Sequence, residues 1–373
     1  MTAAAVQEVH QVVPQAVPGD ATTDHALALQ QLLRDLGYRS DLFALAVHDD
    51  LEGRARLLGE LQGPSTPERA IVYQCASHSP AGDWLYGRRE RIAVYYHNVT
   101  PPHFLRAWDP AGRLALVAGH LQAAQLARVA ELGIAASATN ADDLRAKGWT
   151  SVTVAPLLLD LDRFGAPGGS TAPADGDGRP ASGTGAARST RWLFVGAIAP
   201  HKAQHRLVEA LAVYRRVFDG DATLTLVGRP VVPSYARAVA ELAKASGMGG
   251  AVRFAGRVGH RELLDEYRRA DVVVCASQHE GFCVPIAEAM AMGRPLVVAD
   301  TGEVATTTGA GGLVVPDDGP ATLATAVHRV VSDPALRRRI AAGAERRVAD
   351  LSLERSRAAM AAVLQGWLSG GAR

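Results

Sequence analysis

Two glutamates, Glu280 and Glu288, stand with seven residues between them in SQHEGFCVPIAEAMAMG, the string from Ser277 to Gly293. Pro285 suits the first turn of a helix, where its missing N–H costs nothing, and Gly293 suits the helix stop. Glu280 therefore reads as a loop residue after a strand and Glu288 as a residue of the early helix. Backbone N–H groups between them would point from a helix N-terminus, a place that attracts phosphate. Carboxylates beside an anion site need donors, and sugar or ribose hydroxyls supply them. Taken alone, Glu288 would be a first-turn glutamate complementing the helix dipole and Glu280 a solvated loop charge.

Other groups carry related chemistry. Lys202, in VGAIAPHKAQH just past a strand and near a helix start, is a point charge able to neutralise a leaving diphosphate. Arg206 follows it by one helical turn. Gly19 and Asp20 lie between a first strand and a helix, where glycine permits close backbone approach to a ligand. His97 ends the strand RIAVYYH, at the carboxyl edge where open α/β sheets bind ligands. His78 in CASHSPAGDW is a further acceptor-side candidate. Trp84, Tyr86, Phe104 and Trp108 could form an apolar or sugar-stacking wall, or support local packing. Each residue alone has a structural explanation: a turn, a solvated cation, a satisfied histidine.

The elements that must position these residues alternate short β-branched runs with helical patterns, the signature of parallel α/β architecture. VQEVHQVV, DLFALAV, AIVYQCA, RIAVYYH, IAASAT and SVTVAPL read as strands of a first domain, with a helix carrying Leu29, Leu32, Leu33 and Leu36 after PGDATTDHA. GAPGGSTAPADGDGRPASGTGAARST has no periodicity and reads as a linker. RWLFVG, TLTLVG, AVRFAG, DVVVCAS, PLVVAD and GLVVP form a second series, whose first helix places Leu207, Leu211, Tyr214 and Phe218 on one face. A last helical stretch from Ala321 to Leu368 is broken by Pro334. The expected domains are 1–165, a linker over 166–190, 191–355, and a C-terminal helix over 356–373 packing back on the first domain.

A chain of 373 residues with 48% apolar content and net charge +1 is a globular two-domain protein without a nucleic-acid footprint. Its three cysteines show no CxxC spacing, against a disulfide framework or zinc site and in keeping with a cytoplasmic location. Neither a signal peptide nor a transmembrane run is evident. Peripheral membrane contact stays open.

The chain resembles glycosyltransferase family 4 of bacterial type, with the EX7E motif at Glu280 and Glu288. The likeness extends through PGDA, YHNVTPP, VTVAPLLLDLDRF, FVGAIAPHKAQHRLVEAL and RRADVVVCASQHEGF. It implies the GT-B fold, two Rossmann-like domains facing across a cleft. It implies a retaining, metal-independent hexosyltransferase using a nucleotide-diphosphate sugar and an acceptor sugar, glycoconjugate or small-molecule hydroxyl; the family uses both uridine and guanosine donors, and a UDP-sugar is expected here over a GDP-sugar. No cofactor is expected beyond the donor substrate. By the resemblance Glu280 contacts the sugar and Glu288 the ribose; Gly281, Phe282, Cys283 and Val284 approach sugar and phosphate. Gly19 and Asp20 join the donor site, with Arg206, one helical turn past Lys202, as the candidate to compensate there for the arginine missing at Ala197 or else a surface residue, while His97, Lys202 and Glu280 form the catalytic set. The family commonly has an arginine where this chain has Ala197, which removes one phosphate clamp. Asp160 and Asp162 superficially spell a metal-binding DxD, but the family has a similar sequence there without a metal role. An epimerase or hydrolase, a sugar phosphorylase, and a non-catalytic nucleotide-sugar-binding protein are the competing readings.

Overall fold

The structure, a computed structural model, describes residues 6–165 and 189–370. The expected linker, apart from Ser189 and Thr190, lies outside the described residues. The chain divides into one unit of Met1–His103, Ala111–Asp160 and Leu351–Arg373, and a second of Phe104–Pro110 and Leu161–Asp350. Neither unit is a single stretch of sequence. Among the described residues no helix is long and apolar enough to cross a membrane.

In the first unit β1 (Glu8–Ala16), β2 (Leu42–Val47), β3 (Arg56–Leu57), β4 (Arg69–Cys75), β5 (Arg91–Tyr96), β6 (Leu132–Ala135) and β7 (Val152–Val154) form a parallel sheet. Its order is β3-β2-β1-β4-β5-β6-β7. Helices α1 (Ala21–Asp35), α2 (Pro80–Asp83), α3 (Pro110–Leu126) and α4 (Ala138–Ala146) lie between these strands in sequence. Strands covered on both faces read as unbroken apolar runs, and every residue of β5 is buried. β1 starts at Glu8 and runs through Pro14, so it extends past VQEVHQVV. The two exposed residues of β3 are too few to leave a pattern. IAASAT is strand only to Ala135, because Ser137 caps α4 by accepting from Asn140 N at 3.2 Å.

The second unit carries β8 (Arg191–Val195), β9 (Thr223–Val227), β10 (Val252–Gly256), β11 (Val272–Cys275), β12 (Leu296–Ala299) and β13 (Leu313–Val315) in the parallel order β10-β9-β8-β11-β12-β13. Its helices are α5 (Gln204–Val217), α6 (Pro233–Ala245), α7 (His260–Arg269), α8 (Val284–Ala291), α9 (Glu303–Thr308), α10 (Pro320–Ser332) and α11 (Pro334–Asp350). Leu207, Leu211 and Tyr214 form the buried face of α5, whereas Phe218 lies past its end and stacks on His328 with ring centroids 4.1 Å apart. Glycines close β8 and β9. A Cβ on Gly228, at φ +146°, would sit 1.9 Å from the Gly196 carbonyl oxygen, so the two loops approach this closely only with glycine there.

The C-terminal helical stretch has two breaks instead of one. Pro334 opens α11, and Ser352 caps α12 (Leu353–Ser369) by accepting from Arg355 N at 3.4 Å. The return of the chain to the first unit therefore begins at Leu351, earlier than residue 356. There Arg91 donates to the Trp367 and Leu368 carbonyls at 2.7 and 3.0 Å, supplying partners to orphan carbonyls of the last turn. It also pairs with Glu131 at 2.8 Å, and Trp367 Nε1 donates to the same carboxylate at 2.8 Å. Trp367 is 8% exposed. Trp367→Ala is expected to lower the unfolding free energy of the first unit by about 3 kcal/mol, measured in guanidinium chloride melts; an unchanged midpoint and slope would show that α12 does not stabilise this sheet.

Candidate active site

The order of the second sheet reverses direction between β8 and β11. From β8 the chain proceeds to β9 on one side, and from β11 to β12 on the other, so the loops leaving these neighbours splay apart. Such a switch point, at the carboxyl ends of parallel strands, is where open α/β sheets hold ligands. Lys202 follows β8 and Glu280 follows β11. Their side chains meet there, Lys202 Nζ donating to Glu280 Oε2 at 2.5 Å.

The pair is largely withdrawn from water, with 18% of the Lys202 and 8% of the Glu280 side chain exposed. Burial alone would lower the lysine pKa, but the charge and hydrogen bond of Glu280 more than reverse this and raise it. Burial pushes the Glu280 carboxyl up, and Lys202 outweighs that and holds it below its usual range. Both groups are thus charged at neutral pH. His201 sits beside them, and its carbonyl accepts from Gln278 N at 2.7 Å, tying the two loops together. Burial, then the Lys202 charge, depress the His201 imidazole to about 3. Phe104 reaches this group from the segment that joins the second unit, its ring centroid 6.0 Å from His201 and 6.3 Å from His279.

Glu288 is not in the first turn of its helix. It is the fifth residue of α8, buried at 7% exposure, and Tyr267 donates its hydroxyl to Oε2 at 2.8 Å. A dipole-complementing surface glutamate does not fit this position, since the carboxylate has been taken into the core and given a fixed donor. Pro285 does occupy the start of α8. Cys283 immediately precedes the helix with φ +63°, a left-handed backbone unusual for a residue with a side chain. Gly281 and Phe282 complete the approach to Val284, with the Phe282 carbonyl accepting from Thr307 Oγ1 at 2.6 Å. Arg206 directs its guanidinium to Glu209 at 3.2 Å and Asp318 at 3.7 Å. Sequence reasoning missed Tyr267, His201 and His279. His201, adjoining Lys202, and His279, adjoining Glu280, carried a local signal; Tyr267 carried none.

Most of the remaining candidates belong to the first unit, while Trp108 and Asp162 belong to the second. Gly19 has φ +68°, and Asp20 is the N-cap of α1, its carboxylate accepting from Thr23 N at 3.1 Å. The helix thus starts at Ala21, inside what reads in sequence as a loop. His78 lies 3.5 Å from Asp83, Trp84 carries the Arg88 guanidinium 4.2 Å over its ring, and Tyr86 donates to Gln125 at 3.1 Å. Trp108 packs edge-on to Tyr235 in the second unit, with centroids 5.2 Å apart. Asp160 and Asp162 join no cluster of metal-ligating groups among the described residues; Cys275, Glu280 and Cys283 do form one.

His97 ends a buried amide chain. Gln11 Nε2 donates to the Ala26 carbonyl at 2.6 Å, leaving Gln11 Oε1 to accept from Gln74 Nε2 at 3.0 Å. Gln74 Oε1 then faces His97 Nε2 at 2.7 Å. An amide oxygen can only accept, so Nε2 carries the proton and Nδ1 is the acceptor. Burial lowers His97 to about 3, which makes it a neutral imidazole. His25 packs against it with centroids 5.5 Å apart and accepts from Leu158 N at 3.0 Å through Nδ1. Burial, then His97, hold His25 well below its ordinary pKa.

The fold class is GT-B, two parallel-sheet α/β domains: the solved structure of Anabaena HepE in complex with UDP and glucose aligns with a TM-score of 0.73 at 18% identity, over 96% of this chain and 99% of that one. Residues 189–333 match the family described as glycosyl transferases group 1, so the second unit carries a domain of that family. A D-inositol 3-phosphate glycosyltransferase of Streptomyces bingchenggensis is 34% identical over 203 residues, 50% of this chain and 44% of that protein. A glycogen synthase of Mycobacterium tuberculosis is 28% identical over 281 residues, 72% of this chain and 63% of that protein. The chain spans about half the length of the curated relatives it matches.

The buried imidazoles imply an acid limit. An unfolded histidine titrates near pH 6.5, whereas folded His25 resists protonation, so below about pH 6.5 the unfolded state binds the extra proton. Stability then falls with falling pH, by about 1.4 kcal/mol per unit from His25 alone. His25→Asn, which keeps an acceptor near the Leu158 N–H, is expected to flatten the decline of Tm between pH 6.5 and 5 in thermal melts. A variant curve parallel to that of the native chain would remove His25 from this limit.

Proposed function

We propose that this protein is a retaining glycosyltransferase moving a hexosyl group from a nucleotide-diphosphate sugar, UDP-sugar in preference to GDP-sugar, to an acceptor hydroxyl. The single observation that carries the reading is the Lys202–Glu280 pair at the carboxyl edge of the switch point. A buried ammonium next to a phosphate site stabilises charge as it develops on a leaving diphosphate, and needs little reorganisation because the pair already fixes it. A carboxylate has about four acceptor positions, so Glu280 can hold Lys202 and still accept from a sugar hydroxyl. Glu288, fixed by Tyr267, is assigned to the ribose. The α8 N-terminus, with backbone of Gly281, Phe282, Cys283 and Val284, is assigned to the diphosphate.

His97 takes the part of a neutral acceptor beside the reacting sugar. Its depressed pKa keeps the imidazole neutral, so Nδ1 is free of a proton and can accept from a hydroxyl. Gly19, Asp20 and Arg206 are assigned to the donor side as well; Asp20 contributes by capping α1, and Arg206 by tying the start of α5 to Asp318. Retention follows from a same-face substitution. The bond from the anomeric carbon to the leaving phosphate oxygen breaks, the acceptor oxygen arrives on that face, and the leaving phosphate receives its proton. No step is assigned to a metal, and the reaction is placed in the cytoplasm.

The support from relatives is the UDP and glucose named with Anabaena HepE and the glycosyl-transfer activities named for the curated relatives. Saturation with the correct nucleotide sugar at a hundredfold above Kd should stabilise the folded chain by about 2.7 kcal/mol. A panel of UDP- and GDP-sugars scored by Tm identifies the donor. With that donor, Lys202→Ala and Glu280→Gln are each expected to lower kcat by at least about tenfold, with circular dichroism reporting on the fold. Native turnover in both variants, or a product of inverted configuration by proton NMR, overturns the assignment. Donor consumption that needs no acceptor would identify a hydrolase or epimerase instead.

A further inference from the structure

Two of the cysteines come together in the fold although seven residues, 276–282, separate them in sequence. Cys275 is the last residue of β11, and Cys283 is the left-handed residue that precedes α8. Their sulfurs and a Glu280 carboxylate oxygen all lie within 4.8 Å of one another. Both are free thiols, 4% and 8% exposed, and Cys275 Sγ contacts Ser277 Oγ at 3.3 Å. A soft divalent cation could use the same three ligands. The Lys202 ammonium, 2.5 Å from Glu280, already supplies the positive charge at this carboxylate and would repel such an ion. Two sulfurs this close have another chemistry open to them, because closure to about 2.05 Å makes a disulfide.

We propose that Cys275 and Cys283 are an oxidative modification site, converted by a peroxide into an intramolecular disulfide that cinches the Glu280 loop and weakens nucleotide binding. The effect on binding rests on the donor-site reading above; the modification itself does not. In the first step the Cys275 thiolate attacks the peroxide, forming S–O as O–O breaks, and the departing hydroxide is protonated to water. In the second, Cys283 sulfur attacks the sulfenic acid, S–S forms, S–O breaks, and the Cys283 proton leaves with the hydroxide as a second water. Two thiols are oxidised by two electrons and one hydrogen peroxide is reduced. Cys275 is the attacking sulfur because the hydrogen bond from Cys283 favours its thiolate, outweighing burial, while that same bond and burial push Cys283 well up.

The structure supplies an internal control. Cys75, in the first unit, is fully buried and its thiol is pushed by burial up to about 12, so it should stay reduced. The full chain is treated with hydrogen peroxide, alkylated under denaturing conditions, and mapped by mass spectrometry. The expected product is a peptide bridge between Cys275 and Cys283, about 2 Da lighter than the dithiol, with Cys75 alkylated and the bridge reversed by dithiothreitol. Full alkylation of all the cysteines, sulfinic acid without a bridge, or an intermolecular bridge overturns the modification. Isothermal titration with UDP on the oxidised and reduced chain is expected to show at least about tenfold weaker binding after oxidation. Cys275→Ser should bind UDP equally with and without peroxide. A mapped bridge with unchanged UDP affinity overturns the control of binding, while absence of UDP binding to the reduced chain overturns the donor-site reading and leaves peptide mapping to decide the modification.

Discussion

A parallel strand at a switch point sends its following loop away from that of its neighbour, and in the second unit this constraint leaves Lys202 and Glu280 to meet over the ends of β8 and β11 at 2.5 Å. The pair is not an economical source of stability. Two charges withdrawn from water recover through their attraction little more than the desolvation cost, although removing only one leaves the other stranded at about 3–5 kcal/mol. What it provides is placement. A lysine fixed by a carboxylate cannot wander, and a carboxylate fixed by a lysine stays ionised well into acid. The His201 carbonyl, accepting from Gln278 N at 2.7 Å, and the close approach of Gly228 to Gly196 hold the loops around it.

Much of this was legible in sequence, for a physical reason. Central strands of a parallel sheet are covered on both faces, so VVVC, LVVA and RIAVYY announce themselves as apolar runs, and Pro285 marks the start of α8. Less legible were features decided by a distant partner. Taken alone, Glu288 reads as a first-turn glutamate because nothing near it reveals Tyr267, in the preceding helix α7, whose hydroxyl reaches its carboxylate at 2.8 Å. Asp20 looked like a ligand-facing turn residue, and its carboxylate caps α1. The break before α12 had only Ser352 as a signal, with no proline or glycine to mark it.

The first unit illustrates the same limit more sharply. Gln11 lies inside β1 and Gln74 near the end of the adjacent β4, where a glutamine reads as a flaw in an apolar run. Each is fully buried, and together with the Ala26 carbonyl they orient a proton on His97. The chain of donors runs one way because its first acceptor is a backbone carbonyl, which cannot donate. A residue pattern shows that polar groups are present in the sheet, but direction emerges only when the register of β1, β4 and β5 brings them into line.

The stretch 189–333 that matches the glycosyl transferases group 1 family is not the whole of the unit that contains it. It supplies the six-stranded sheet, Lys202, Glu280 and Glu288, yet stops where Asp333 begins α11 by accepting from Ala335 N and Leu336 N, both at 2.9 Å. It also omits Phe104–Pro110, whose Trp108 carbonyl accepts from Ser234 at 2.6 Å and whose Phe104 ring lies beside His201. The ring packed beside His201 and His279 is therefore drawn from the segment that follows β5 and His97. Residue pairs around a carboxylate can be inherited with the domain, but the wall next to them depends on a loop from outside it. Variation in that loop changes what packs against His201 and His279 while the Lys202–Glu280 pair and its switch point, both inside the matched stretch, stay as they are.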